Sequence, residues 1–525
     1  MFEKIILALA MALTFLVSTP SVSADTDTIV YSFPVNVGVL NPHLYHPAQI
    51  FAQQMIYDPL VLYGEGGAME PCLAVGWEIS DDGLEYTFRL REGVLFSDGS
   101  PFNAHVAVKN FDAIMANRKR HAWIELTNKI EKWEAEGELV FKITLNSPYS
   151  PTLNDLASFR PYRFLALSGF PDNGLTAEGI KAPIGTGPWV FKETLPNEHD
   201  LFVRNELYWG PKPKVKNVLI KVIPDPLSRA VAMRTGIIDL IYGTGQIGFD
   251  AFDEFVKDPR FGHGISPPLS NTIITLNTAL FPTDDKAVRL ALNYATDRDE
   301  IIRGIFLGYQ EPAYFYCNPV FRYCDANLEP HPFDVDLAVK TLEEAGWLLP
   351  PGKKIREKDG KRLDIPFSFV STDSNQRILA EVMQAQALKA GINLIPRGEE
   401  ADTFLTHTRE GNFNMVTKET WGAPLEPIGQ LSGMRRPTGT DYHAQQGLSQ
   451  KPRIDELISV MVSSADERER ETLVKQIFAI LHDEAVYIPI HGNSSVEVHG
   501  SGKLSGVSFA TDDNYIAFEK MTKLK

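Results

Sequence analysis

A mixed α/β fold, assembled from domains that interleave along the chain, is what the sequence predicts. Short runs of polar–apolar alternation, longer runs with apolar residues at helical spacing, and the want of a clean linker between them carry that expectation. Glu85-Tyr86-Thr87-Phe88-Arg89-Leu90-Arg91 alternates as a half-buried strand does, and Phe141-Lys142-Ile143-Thr144-Leu145 repeats the pattern. Between them Asp98-Gly99-Ser100-Pro101 reads as a turn and Ala104–Ala116 as a helix. Val288, Ala291, Leu292 and Ala295 fall on one helical face. Ile378, Val382, Ala385 and Leu388 do likewise, with Gly391 placed to end that helix. Two helical stretches fill roughly 453–483, and the Pro/Gly/Lys-rich segment Leu349–Gly360 reads as a surface loop. No internal repeat or low-complexity tract interrupts the series.

The 525 residues, 44% hydrophobic and 22% charged, suffice for about three domains and exclude both wholesale disorder and a polytopic membrane protein. A net charge of −16 weighs against a general nucleic-acid binder, which presents a basic face. Lys4, the apolar run Ile5–Val17 and the small residues Val22-Ser23-Ala24 form the pattern of a secretory signal peptide spanning residues 1–24. The apolar run is shorter than the roughly 20 residues a membrane-spanning helix needs. An exported, soluble, periplasmic protein is therefore expected.

Export permits disulfides. Cys317 and Cys324 sit close together in a Pro- and Tyr-rich loop, where a local bridge is expected, leaving Cys72 buried and unpaired. No second closely spaced cysteine pair supports a metal knuckle. HExxH, GxSxG, Walker A and helix-opening GxGxxG motifs are absent. Gly185-Thr186-Gly187-Pro188 has the glycines but not the helix entry of a phosphate loop. The acidic pairs Asp81-Asp82 and Asp284-Asp285 read as solvated loop charge. No enzyme, and no catalytic cofactor, is expected.

The stretches Leu73-Ala74-Val75-Gly76-Trp77-Glu78, Val94-Leu95-Phe96-Ser97-Asp98-Gly99-Ser100-Pro101-Phe102-Asn103-Ala104, Pro183-Ile184-Gly185-Thr186-Gly187-Pro188-Trp189, Arg204-Asn205-Glu206-Leu207-Tyr208-Trp209, Ala287–Ala295 and Leu342–Trp347 resemble, in order, the landmarks of the peptide/nickel class of ABC-importer solute-binding proteins. The resemblance implies the two-lobe, type II periplasmic binding fold with an extra subdomain in the first lobe. On that scheme lobe I covers residues 25–269 with an insertion at about 76–185, lobe II covers 270–490, and residues 491–525 return to lobe I.

Within the family the pattern resembles the periplasmic nickel-binding type, through Leu40-Asn41-Pro42-His43-Leu44-Tyr45, Asn117–Trp123, Arg160-Pro161-Tyr162-Arg163-Phe164, Thr420-Trp421-Gly422-Ala423-Pro424 and His482–Tyr487. That resemblance implies capture of nickel(II) as a small chelate, with histidine or a polycarboxylate metallophore supplying most ligands, and delivery to a membrane permease and its ATPase by a monomer. Arg120 and Arg160 would face the chelate's carboxylates, with Tyr45, Trp123 and Trp421 lining the pocket. Guanidinium forks pair bidentately with carboxylates, and aromatic walls exclude water. Gly439 stands where that type can carry a ligand histidine, and Leu425 stands where it can carry a tyrosine. His46, His491 and His443 are the candidate metal-ligating histidines, since imidazole suits Ni(II), and cobalt equally. Rival readings are a peptide or haem binder of the same fold and an exported metallohydrolase. Pro424 stands where peptide binders place an amine-pairing aspartate, and no carboxylate base accompanies the histidines.

Overall fold

The computed structural model describes residues 27–44, 50–325, 327–425, 427–512 and 514–524. Its strands gather into a seven-stranded, a six-stranded and a four-stranded sheet, with three small two-stranded ribbons. In the four-stranded sheet, Glu85–Leu90 pairs antiparallel with Val140–Leu145. The alternation seen in the sequence turns Tyr86, Phe88 and Leu90 inward beside Phe141, Ile143 and Leu145, all buried. Helix Ala104–Ala116, begun by Asn103 accepting from the Val106 amide, covers that face, and Phe111 meets Phe141 with ring centroids 4.9 Å apart.

The seven-stranded sheet draws on distant parts of the chain. Thr28–Phe33 runs parallel to Asn217–Val222 and to Leu240–Gly243, while Phe261–Ile265 and Val496–Gly500 close one edge. The six-stranded sheet contains Ser270–Leu276, Asp364–Val370, Asn393–Glu399, Met415–Glu419 and Tyr487–Asn493, with Glu311–Pro312 at its edge. The chain thus crosses between the two sheets at 266–269 and again at 494–495. The crossings lie side by side: the Ser266 amide donates to the Ser495 carbonyl at 2.9 Å, the Ser495 amide donates to Ser266 Oγ at 2.9 Å, and the Leu269 amide donates to the Asn493 carbonyl at 2.9 Å.

Around the six-stranded sheet, helix Lys286–Ala295 buries Val288, Ala291, Leu292 and Ala295, the expected face. Helix Ser374–Lys389 does not follow expectation. It buries Leu379, Ala380, Met383, Gln386 and Ala387, while Ile378 and Leu388 are each 43% exposed. This helix is apolar on more than one side, so packing against the sheet, not periodicity, chose the buried face. Gly391 does adopt the left-handed φ of +81° at its end. The helices Lys451–Ser463 and Glu467–Asp483 occupy the expected stretch.

Cys317 and Cys324 are bridged and Cys72 is buried. Asp285 is not loop charge: it caps helix Lys286–Ala295 through the Ala287 amide and accepts from Trp347 Nε1 at 3.0 Å and Lys358 Nζ at 2.9 Å. No helix among the described residues is long and apolar enough to cross a membrane.

The glycines of Gly185-Thr186-Gly187 serve close packing. A Cβ at Gly187 would lie 2.7 Å from the Ile56 carbonyl oxygen, which accepts the Gly187 amide at 2.7 Å. Both partners are backbone and cannot swing aside, so Gly187→Ala should cost about 1–3 kcal/mol. Denaturant unfolding measures it; an unchanged midpoint would contradict the packing role.

Candidate functional site

Two segments that belong to different sheets meet at an aromatic contact. The first is the loop after strand Met415–Glu419. Thr420 ties it to Ser270–Leu276: its amide donates to the Asn271 carbonyl and its Oγ1 accepts the Asn271 amide, each at 2.9 Å. Gly422 then turns the chain with φ +69°, passing so close to the Leu269 carbonyl that a Cβ would lie 2.6 Å from that oxygen. Trp421 sits between these anchors. Its amide donates to Gln430 Oε1 at 2.7 Å, and Gly433 leaves room for the indole, whose nearest carbon would be 2.6 Å from a Cβ there. Gln430 is itself fixed by Asp441, which also accepts from Lys418 Nζ at 2.5 Å and Tyr487 OH at 3.0 Å.

The second segment follows helix Ala104–Ala116. After the short helix Arg118–His121, Trp123 projects toward Trp421, and the two indoles meet edge to face with centroids 5.7 Å apart at 85°. Three further contacts brace the junction. Glu125 Oε2 accepts from Ser432 Oγ and from Arg435 Nη2, and Asn154 Nδ2 donates to the Pro424 carbonyl at 3.0 Å. None of these partners had a local signature, because the contacts join residues some 300 positions apart in sequence.

Arg120 is exposed on helix Arg118–His121, beside Trp123. Arg160 is 4% exposed, stacks over the Phe159 ring at 5.4 Å and donates to the Leu44 carbonyl at 3.0 Å. Arg163 is a structural residue. Its guanidinium donates to the carbonyls of Tyr57, Ala157 and Ser158.

Tyr45 and His46 lie outside the described residues. The structure does not bring the other two candidate histidines together. His443 packs against Gly411 with its Nε2 on the Arg409 carbonyl at 2.8 Å. His491 instead lines a cavity of about 980 Å³ at the edge of the six-stranded sheet, its ring 4.3 Å from that of Phe306. Burial lowers the His491 imidazole to about 4. Among the described residues, no group of three or more His, Cys, Asp or Glu side chains could hold a metal ion. His443 and His491 therefore do not share a cluster among the described residues.

Seven- and six-stranded sheets joined by a doubled crossing, with an aromatic contact between the edge of the six-stranded sheet and the segment after helix Ala104–Ala116, are the architecture of a solute-binding protein. The model of bacterial extracellular solute-binding proteins, family 5 (middle region), matches residues 68–442, and the chain belongs to this family of solute-binding proteins, which are not enzymes. It is 45% identical to the nickel-binding periplasmic protein of Escherichia coli K12 over 504 residues, 96% of each chain. The crystal structure of NikA from Brucella suis in complex with Fe(III)-EDTA superposes with a TM-score of 0.92 at 44% identity, covering 94% of this chain and 99% of that one. Haem-binding protein A of Haemophilus influenzae is more distant, 27% identical over 471 residues, 84% of this chain and 82% of its own. The two-lobe α/β fold implied by the sequence motifs is the fold of the family.

Asp155, 1% exposed beside the braced junction, offers a test of the site's electrostatics. Burial pushes its carboxyl up to about 8, against hydrogen bonds from Tyr149 and the Leu126 amide, with the Glu125 charge adding to the rise. The folded protein therefore holds a proton there that the unfolded chain releases near its ordinary pKa of 3.8, and stability falls as pH rises from that value toward 8. Asp155→Asn, neutral throughout, should gain melting temperature over the parent toward pH 8 and lose that advantage near pH 4. A difference independent of pH would show that the carboxyl is ionised in the fold.

Proposed function

We propose that this protein is the periplasmic component of an ABC importer, exported by the signal peptide 1–24, and that it captures nickel(II) as a small chelate between its lobes and delivers it to the permease and ATPase. The observation that carries this reading is the meeting of Trp123 and Trp421 from opposite sides of the cleft, beside Arg120 and in a chain with a buried Arg160. Supporting it are the nickel-binding name of the relative at 45% identity and the metal–polycarboxylate bound to the neighbour at 44%.

On this reading lobe I comprises residues 25–269, including the insertion at about 76–185, and 494–525, and lobe II comprises 270–493; the return to lobe I moves from the 491 expected from sequence because strand Tyr487–Asn493 stays in the six-stranded sheet. They rotate about the paired crossings, and a chelate touching both lobes shifts the population toward the closed form. The Glu125–Arg435 and Asn154–Pro424 contacts belong to that closed form. Arg120 and Arg160 pair with the chelate's carboxylates, while Trp123, Trp421 and Tyr45 wall off water. The chelator supplies most of the metal's donors. His46 is the histidine we assign to any remaining position, because His443 Nε2 is engaged by the Arg409 carbonyl and His491 faces the neighbouring cavity. The protein acts as a monomer.

Calorimetric titration of the mature protein with Ni(II), with Ni(II) plus excess L-histidine and with Ni(II)–EDTA should give tight binding only for the chelates, and none for a dipeptide pool or haem. Heat from dipeptides or haem alone would keep the fold and overturn the cargo. In the Arg120→Ala, Arg160→Ala double variant, chelate affinity should fall about 100-fold or more, as expected for loss of two charge-assisted contacts. Unchanged affinity would remove both arginines from the site.

A further inference from the structure

The cavity of about 980 Å³ that His491 lines opens where the parallel strands Asp364–Val370 and Met415–Glu419 end, the edge at which open α/β sheets receive ligands. Glu419 in its wall stands two residues before Trp421 in the chain. Its wall is largely apolar, and the charged residues in it that make no ion pair among the described residues are all acidic. Glu419 ends one strand, Asp373 starts the helix that follows the other, and Asp250 faces them from the opposite sheet's side. None of the three makes an ion pair among the described residues. Lys418, also on this stretch, has its ammonium on Asp441 and the Tyr316 hydroxyl. Glu419 is open to the cavity, and the crowding of the surrounding walls, then the nearby charge of Asp373, raise its carboxyl above its ordinary value.

His491 supplies an independent observation. It is 7% exposed and stands in register with Thr272, which is itself in register with Glu419, so the three form one row across the sheet. Its Nδ1 lies 3.2 Å from the Gly492 carbonyl. A carbonyl only accepts, so Nδ1 carries the hydrogen and Nε2 is a lone-pair acceptor without a partner among the described residues. Imidazole and carboxylates thus present acceptors alone.

Resting on the chelate-binding reading above, we propose that this chamber is a subsite for a cationic nitrogen: it receives an ammonium group carried by the bound chelate, held by Glu419 and Asp373 and accepted by His491 Nε2. The cleft then carries arginines for the carboxylates of the cargo and acceptors for its amine. The class of substrate becomes an amino-polycarboxylate metal complex longer than a single amino acid.

Three probes test this: Ni(II)–EDTA, the Ni(II) complex of EDTA bearing a 4-aminobutyl arm, and the N-acetyl form of that complex. Titrated into the mature protein, the amine complex should bind about tenfold more tightly than its acetylated twin, and the preference should shrink in high salt. The Glu419→Gln, Asp373→Asn variant should erase the preference while leaving Ni(II)–EDTA affinity unchanged, since asparagine still caps the helix. Equal affinity of the amine and acetyl complexes, with Ni(II)–EDTA binding intact, overturns the subsite alone. Failure of all three complexes to bind overturns the chelate-binding reading and the subsite with it.

Discussion

Everything in this molecule depends on a pair of chain crossings held edge to edge. Ser266 and Ser495 lie 229 residues apart, yet each serves the other, one amide meeting a carbonyl and the other a side-chain oxygen. Gln310 adds a second reciprocal clamp, its Nε2 donating to the Ser494 carbonyl and its Oε1 accepting the Ser494 amide. All these groups are buried, and an unmade backbone hydrogen bond there would cost free energy with no water to replace it. The crossings therefore stay aligned, and each sheet can be built from discontinuous segments without losing its position relative to the other.

From that constraint the cleft follows. Strand Ser270–Leu276 leaves the first crossing and strand Tyr487–Asn493 enters the second, so they pair with each other at the centre of one sheet. Met415–Glu419 adds to their flank, and its last residues reach the edge of the sheet nearest the crossing. Trp421 is thus anchored on one sheet's framework by the bonds of its neighbour Thr420 to Asn271 and by its own amide on Gln430 Oε1. Trp123 is carried by the four-stranded sheet through helix Ala104–Ala116. Neither contact is set by a local motif; the two tryptophans meet because the crossings bring their carriers within reach.

The elements with local causes were legible in the sequence. Polar–apolar alternation located Glu85–Leu90 and Val140–Leu145, and helical spacing located Lys286–Ala295. The turn glycine at Gly391 marked the end of a helix, though the apolar residues before it misjudged which face would be buried. The family motifs led to the fold and to the tryptophans. What stayed hidden was set by contacts distant in sequence. Asp285, read as loop charge, is a cap shared with Trp347 and Lys358. Arg163, one helix turn from Arg160 in spacing and identical in chemistry, is spent on backbone carbonyls. For the histidines, residue type did not say which ring nitrogen a neighbouring carbonyl would occupy.

Local hydrogen bonding also decides which side chains remain available to a solute. His443 and His491 have the same imidazole, but the first gives its Nε2 to Arg409 while the second uses Nδ1 on Gly492 and turns Nε2 outward. Lys418 and Glu419 are adjacent, and strand pleating sends them to opposite faces: the lysine into the Asp441–Tyr487 network that steadies Gln430, and through it Trp421, the glutamate to the cavity. One cation is thereby removed from the cleft wall and turned into scaffold. What this scaffold leaves unspent is the pair of indoles where the carriers of Trp123 and Trp421 approach, and acceptors along the edge where the strands end.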